Sequence, residues 1–180
     1  MNKTMLLQSL GLMVLSFMVY WGAFEVQHLM FAFTEYIPGV NWFYLPSGVR
    51  VVMVLIGGAS GALGISLATV LIDWVHYPHI TGWMLLTTAV ASGFSAYLAL
   101  LIMRSQGKIE HDLQGLSLMT LLSYSGLYSA INALVHQVNW RLNNPDSHLV
   151  HIDIWPMFVG DLLGAVALLL LVRLIFRFKA

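Results

Sequence analysis

The stretch Pro46–Trp74, PSGVRVVMVLIGGASGALGISLATVLIDW, decides how this chain is folded. As a single helix it would be about 43 Å long at 1.5 Å per residue, more than one crossing of a roughly 30 Å hydrocarbon core and less than two. Its middle is Gly57-Gly58-Ala59-Ser60-Gly61. Two readings follow: one long tilted helix with a glycine-rich packing face, or two short helices, Pro46–Ile56 and Ala62–Trp74, joined by a tight turn at the glycines. Pro46 suits the start of a helix, where a missing N–H costs nothing.

Outward from this stretch, Met5–Phe24, Ile80–Met103, Leu113–Val135 and Trp155–Ile175 are apolar runs long enough to cross a bilayer. The chain is 59% hydrophobic and 9% charged, against about 25% charged in soluble domains. It is therefore expected to be one integral membrane domain, residues 1–180. Met5–Phe24 is too long for a signal-peptide core and lacks a small-residue cleavage site, so it reads as a retained first helix.

The basic residues arbitrate between the two readings. They lie at Lys3, at Arg104 and Lys108, and at Arg173, Arg177 and Lys179, and such residues collect on the cytoplasmic side. A single span over Pro46–Trp74 would put the two terminal clusters on opposite sides of the membrane, whereas a helix pair puts all three on one side. The expected fold is an all-α, polytopic membrane helix bundle of six segments, two of them short and joined at the Gly-rich turn, with both termini cytoplasmic. The expected location is a membrane, crossed several times. Short helices cannot span alone, so their ends must be buried in protein or line a cavity.

This topology places Glu25–Leu45, His76–His79 and His136–Ile154 outside and Ser105–Asp112 inside. The outer side then holds six of the seven histidines and all the tryptophans, some of which are interfacial anchors. Eight basic and eight acidic residues cancel, so membrane lipid rather than nucleic acid is the expected surroundings. With no cysteine, disulfides, zinc-thiolate sites and thiol nucleophiles are excluded. Small residues four apart, such as Gly57/Gly61, Gly126/Ala130 and Gly160/Gly164, predict close packing.

Arg50 and Asp161 stand within apolar stretches, where an ionisable side chain costs about 3 kcal/mol unless paired or hydrated. Both belong to the outer half of the bilayer. They either form a structural ion pair or face a cavity in which Arg50 grips an anionic group and Asp161 an amine. Tyr128, Asn132 and His136 recur every four residues and form a polar stripe on one helix face. With Trp42 nearby, the expected ligand-binding set is Arg50, Asp161, Asn132, His136, Trp42 and Tyr128.

His76-x-x-His79 and His148-x-x-His151, with Asp73, Asp146 and Asp153 close in sequence, are weak candidates for a metal site. Pro78 interrupts the first pair. Any cofactor is left unknown. No His-Glu-x-x-His, Gly-x-Ser-x-Gly or phosphate-binding loop occurs, so catalysis is not expected.

The phrases Trp42-Phe43-Tyr44-Leu45-Pro46-Ser47-Gly48-Val49-Arg50, leading to Gly57/Gly58, and Gly160-Asp161-Leu162-Leu163-Gly164 resemble the opening of a helix pair and the Gly-Asp-x-x-Gly of the last helix in membrane-associated sensor (MASE, first type) domains of bacterial signalling proteins. That resemblance implies a non-enzymatic, multi-pass sensor of the bacterial inner membrane that binds a small solute and signals to a membrane or cytoplasmic protein partner. The architecture is also similar to the S-components of energy-coupling-factor transporters, which implies solute transport instead. A structural subunit of a larger membrane complex is the third reading.

Overall fold

The computed structural model describes residues 3–78, 80, 82–110, 112–113, 116–143 and 150–177. Helix α1 (Lys3–Met30) leads through a short 3-10 turn (Ala32–Thr34) into a two-stranded antiparallel hairpin, β1 (Glu35–Ile37) and β2 (Val40–Asn41). Helices α2 (Leu45–His76), α3 (Gly82–Ser105), α4 (Leu118–Asn143) and α5 (Val150–Arg177) follow. All five helices contain a stretch long and apolar enough to cross a membrane, so the chain is a multi-pass helical bundle.

Helix α2 is not straight. Gly58 has φ 53° and ψ −128°, the dihedral angles of the first central residue of a type II′ turn, which only glycine adopts without strain. In a continuous helix Met53 and Gly61 would be about 12 Å apart. Here the Met53 carbonyl occupies the place where a Cβ on Gly61 would stand. The chain therefore doubles back, and its arms, residues 45–57 and 59–76, lie side by side.

Contacts along α1 give the same result. Gly57 and Gly64 pack near Leu12 and Met13, whereas Tyr44, just before the first arm, and His76, at the end of the second, meet Tyr20 and Phe24 further along. Both ends of α2 thus lie at the C-terminal end of α1. The second arm packs on α3, with Gly93 against Ala62 and Ser66. The first arm packs on α5, with Gly48 against Gly164 and Leu168.

The buried apolar core contains Val51, Val54, Ile65, Ala96, Leu100 and Tyr124. Ile109, in the link after α3, is buried in the same cluster, with Leu113 and Leu116 packed against it.

Gly160 and Gly164 face the carbonyls of Asn41 and Tyr44 so closely that neither position has room for a Cβ. The expected small-residue packing is present there, with an extended strap as the partner rather than a helix. A Cβ added at Gly126 would meet nothing within 4 Å, so this glycine makes no such close contact among the described residues.

Several helix boundaries differ from the sequence expectation. Helix α1 continues beyond Phe24 to Met30, and α4 starts at Leu118 rather than Leu113, whose φ of 59° excludes it from a helix. Helix α4 then runs through His136, taken as the start of a loop, to Asn143. Apolar length marks only the hydrocarbon-spanning part of a helix. The polar turns beyond it persist because His136, Gln137 and Asn139 are buried against the bundle.

Candidate functional site

The half of the bundle that carries the β-hairpin holds a cavity of about 70 Å³. Its walls include Arg50 from the first arm of α2, Thr69 and Asp73 from the second, Thr88 and Ser92 from α3, Asn132 and His136 from α4, and Asp161 from α5. Tyr20, Phe24, Tyr44 and Trp140 supply aromatic wall. Pro38, Gly39, Val40 and Asn41 of the hairpin contribute the cap.

Gln27 holds this cap in place. Its amide nitrogen donates to the Phe43 carbonyl at 3.0 Å, and its oxygen accepts from the Leu45 N–H at 2.9 Å. Val40 is buried with Ala133 and Met157, wedging the hairpin between α4 and α5. Ser47 Oγ, at the start of α2, lies 2.6 Å from the Asp161 carbonyl and donates to it. The two Gln27 bonds satisfy backbone groups that an extended strap would otherwise leave unpaired, and the Ser47 bond ties the start of α2 to α5.

Arg50 is 4% exposed and tied to three helices. Its Nε, at 3.1 Å, and its Nη2 donate to Tyr20 Oη on α1, and Nη1 donates to Tyr128 Oη on α4 at 3.0 Å. Nη1 also lies 3.8 Å from Asp161 Oδ1 on α5. The other Asp161 oxygen accepts from Asn132 Nδ2 at 2.7 Å. The guanidinium further lies over the Tyr20 and Tyr44 rings, 5.2 and 5.3 Å from their centroids. Pairing, hydrogen bonding and ring contacts together offset the cost of burying this charge.

Of the six residues expected to bind a ligand, Arg50, Asp161, Asn132 and His136 converge on the cavity wall. Tyr128 stands behind Arg50 as a hydrogen-bond partner and is not part of the wall. Trp42 is 47% exposed and packs edge-on against Tyr36 outside the cavity. Its place in the sequence beside the strap does not bring it to the site.

Sequence reasoning missed Tyr20, Ser92 and Asp73 as site residues. Asp73 was weighed only as a neighbour of a metal pair, although an acid closing an apolar helical run is itself a signal. For Tyr20 the signal was the spacing of Ser16, Tyr20, Phe24 and Gln27, the residues of α1 that are buried.

Among the described residues no group of three or more His, Asp or Glu side chains is placed to hold a metal ion. His76 Nε2 lies 3.3 Å from Glu25 Oε1, and its ring packs edge-on against Phe24 and His28. His79, Asp146 and His148 lie outside the described residues, as do the side chains of His151 and Asp153.

Three polar atoms on residues of the cavity wall are buried without a hydrogen-bond partner: Asp73 Oδ2, Asn132 Oδ1 and His136 Nδ1. The other ring nitrogen of His136 lies 3.2 Å from Ser92 Oγ. Beyond the end of α2, burial together with the nearby Glu35 and Asp73 carboxylates raises the Tyr77 phenol well above its ordinary pKa. Tyr77 therefore borders the cavity as a neutral group.

No family model, curated protein or solved structure matches this chain.

Proposed function

We propose that this chain is a bacterial inner-membrane sensor-like protein that binds a small solute in its outer cavity and reports it to a partner protein. The observation that carries this reading is the convergence of Arg50, Asp161, Asn132 and His136 on one capped cavity. Polar groups are costly at membrane depth, and those that line a cavity mark solute sites more often than they serve packing. No catalytic role is assigned.

In this reading the bundle sits in the bilayer as six segments, with the two arms of α2 as re-entrant short helices. Lys3, Arg104, Lys108 and Arg177 then share the cytoplasmic side, as the basic-residue bias favours. The reversal at Gly58 supports it. Because the chain has no cysteine, Phe33→Cys and Gln106→Cys would each carry a single label site. An impermeant maleimide should label the first from outside intact cells and the second only after lysis. Labelling of both from one side would overturn the topology.

Native mass spectrometry of the gently extracted protein tests the function itself. A co-purifying small solute supports the reading. A stoichiometric protein subunit without any small molecule would instead make the chain a structural component of a larger membrane complex. The same cavity also fits a transporter component, and solute uptake dependent on an ATP-driven partner would favour that role.

A further inference from the structure

The cavity wall carries two acids and one arginine, and their partners are unequal. All three nitrogens of Arg50 already donate, to Tyr20 or Tyr128, and its Nη1 also faces Asp161. Asp161 is held by Arg50 and by Asn132. Asp73 is 6% exposed and its Oδ2 has no hydrogen-bond partner. The pairing of Arg50 with Asp161 leaves Asp73 as the acid without a hydrogen-bonded counter-group.

The other two unpartnered atoms point the same way. Asn132 donates its Nδ2 to Asp161 at 2.7 Å, which fixes the amide so that Oδ1 is a pure acceptor. His136 Nε2 pairs with Ser92 Oγ at 3.2 Å, and in the tautomer in which Nε2 donates this bond Nδ1 presents a lone pair. Asn132 and His136 are 1% and 4% exposed. The cavity thus offers three buried acceptors that lack a donor, and aromatic rings of the kind that favour cations stand around them.

Size narrows the guest further. A cavity of about 70 Å³ is under half the roughly 150 Å³ in which an apolar cavity binds benzene, so a guest of a few heavy atoms suits it best. We propose that the cavity takes a small nitrogen cation, ammonium or methylammonium, with Asp73 Oδ2 as its counter-charge and Asn132 Oδ1 and His136 Nδ1 as the further acceptors. The proposal rests on the reading of the cavity as a solute site, and it deepens that reading by selecting a cation over the anion that Arg50 suggests from sequence alone.

The test is thermal unfolding of the full chain in detergent or nanodiscs, followed by tryptophan fluorescence at constant ionic strength. The probes are ammonium, methylammonium, tetramethylammonium and potassium chlorides, with sodium formate as the anionic probe. Ammonium and methylammonium should raise the melting temperature by a saturating increment, as binding to the native state requires. Tetramethylammonium and potassium should not. Asp73→Asn should abolish the increment, and the size series on the unaltered chain remains decisive if that variant does not fold.

An equal shift from potassium overturns the proposal, because N–H donation would then be irrelevant. A shift from formate with none from ammonium also overturns it while leaving the solute-site reading intact. If no probe acts and native mass spectrometry finds a bound solute, only the cation assignment falls. If no probe acts and nothing co-purifies, both readings fall together.

Discussion

Helix α1 and the bent α2 are both long apolar helices, yet the molecule uses them in opposite ways. In the most apolar window of α1 11% of residues are buried within the protein, and in that of α2 50% are. Exposed residues of α1 include Leu7, Leu10, Val14 and Met18, which present a broad apolar face to the surroundings. Helix α2 is packed by α1, α3 and α5 and carries Arg50 and Asp73 into the interior. Hydrophobicity qualifies both for the membrane, whereas small residues and buried charge distinguish the one that protein surrounds.

The strongest way to break this contrast is to unpair the charge that α2 carries. Arg50→Met leaves Asp161 buried without its cation and should cost about 3–5 kcal/mol, because breaking a buried pair strands the remaining charge. Denaturant unfolding in mild detergent measures the loss. Combining Arg50→Met with Asp161→Leu should recover much of it while leaving solute binding abolished. Full recovery of binding in the double variant would show that the pair has no part in the site.

A subtler perturbation reaches Arg50 from α1. Tyr20→Phe removes the hydroxyl that accepts from two nitrogens of Arg50 and bonds Tyr44 at 3.1 Å. Hydrogen bonds to charged groups contribute about 1.5–3 kcal/mol, and a loss near the upper end is expected in the same assay. An unchanged stability would mean that Arg50 finds another acceptor.

The glycines compare the two helices at the backbone. Gly58→Ala forces a Cβ into a strained conformation and should destabilise by about 2 kcal/mol. Gly11→Ala on α1, where nothing stands within 4 Å, should stabilise by up to about 1 kcal/mol through helix propensity. Melting temperatures should therefore move in opposite directions. Smallest of all, Val14→Ala, at a residue 56% exposed, should change stability by no more than about 0.5 kcal/mol.

Much of the site was legible because ionisable and amide side chains are rare in membrane helices. Arg50 and Asp161 announced themselves by their cost in an apolar run, and Asn132 and His136 by their shared face on α4. The six-segment arrangement was argued from the length of Pro46–Trp74, its central glycines and the distribution of basic residues. Trp42 lies outside the cavity wall because closeness in sequence to Arg50 does not specify which way a strap residue points. Asp73 was undervalued because the histidines beside it suggested metal chemistry.

The sequence by itself determined that this chain is a multi-pass helical membrane protein, because about 20 consecutive apolar residues have no stable home in water. It also marked where the chain can turn, since a glycine run at mid-membrane depth permits dihedral angles closed to other residues. Only the tertiary structure decided that Tyr20 and Asp73 join Arg50, Asn132, His136 and Asp161 around one cavity. Those groups come from five helical segments, and their meeting depends on helix rotation and strap packing. Both are set by contacts between residues far apart in sequence, as in the bond from Ser47 to the Asp161 carbonyl 114 positions away, and no local pattern encodes them.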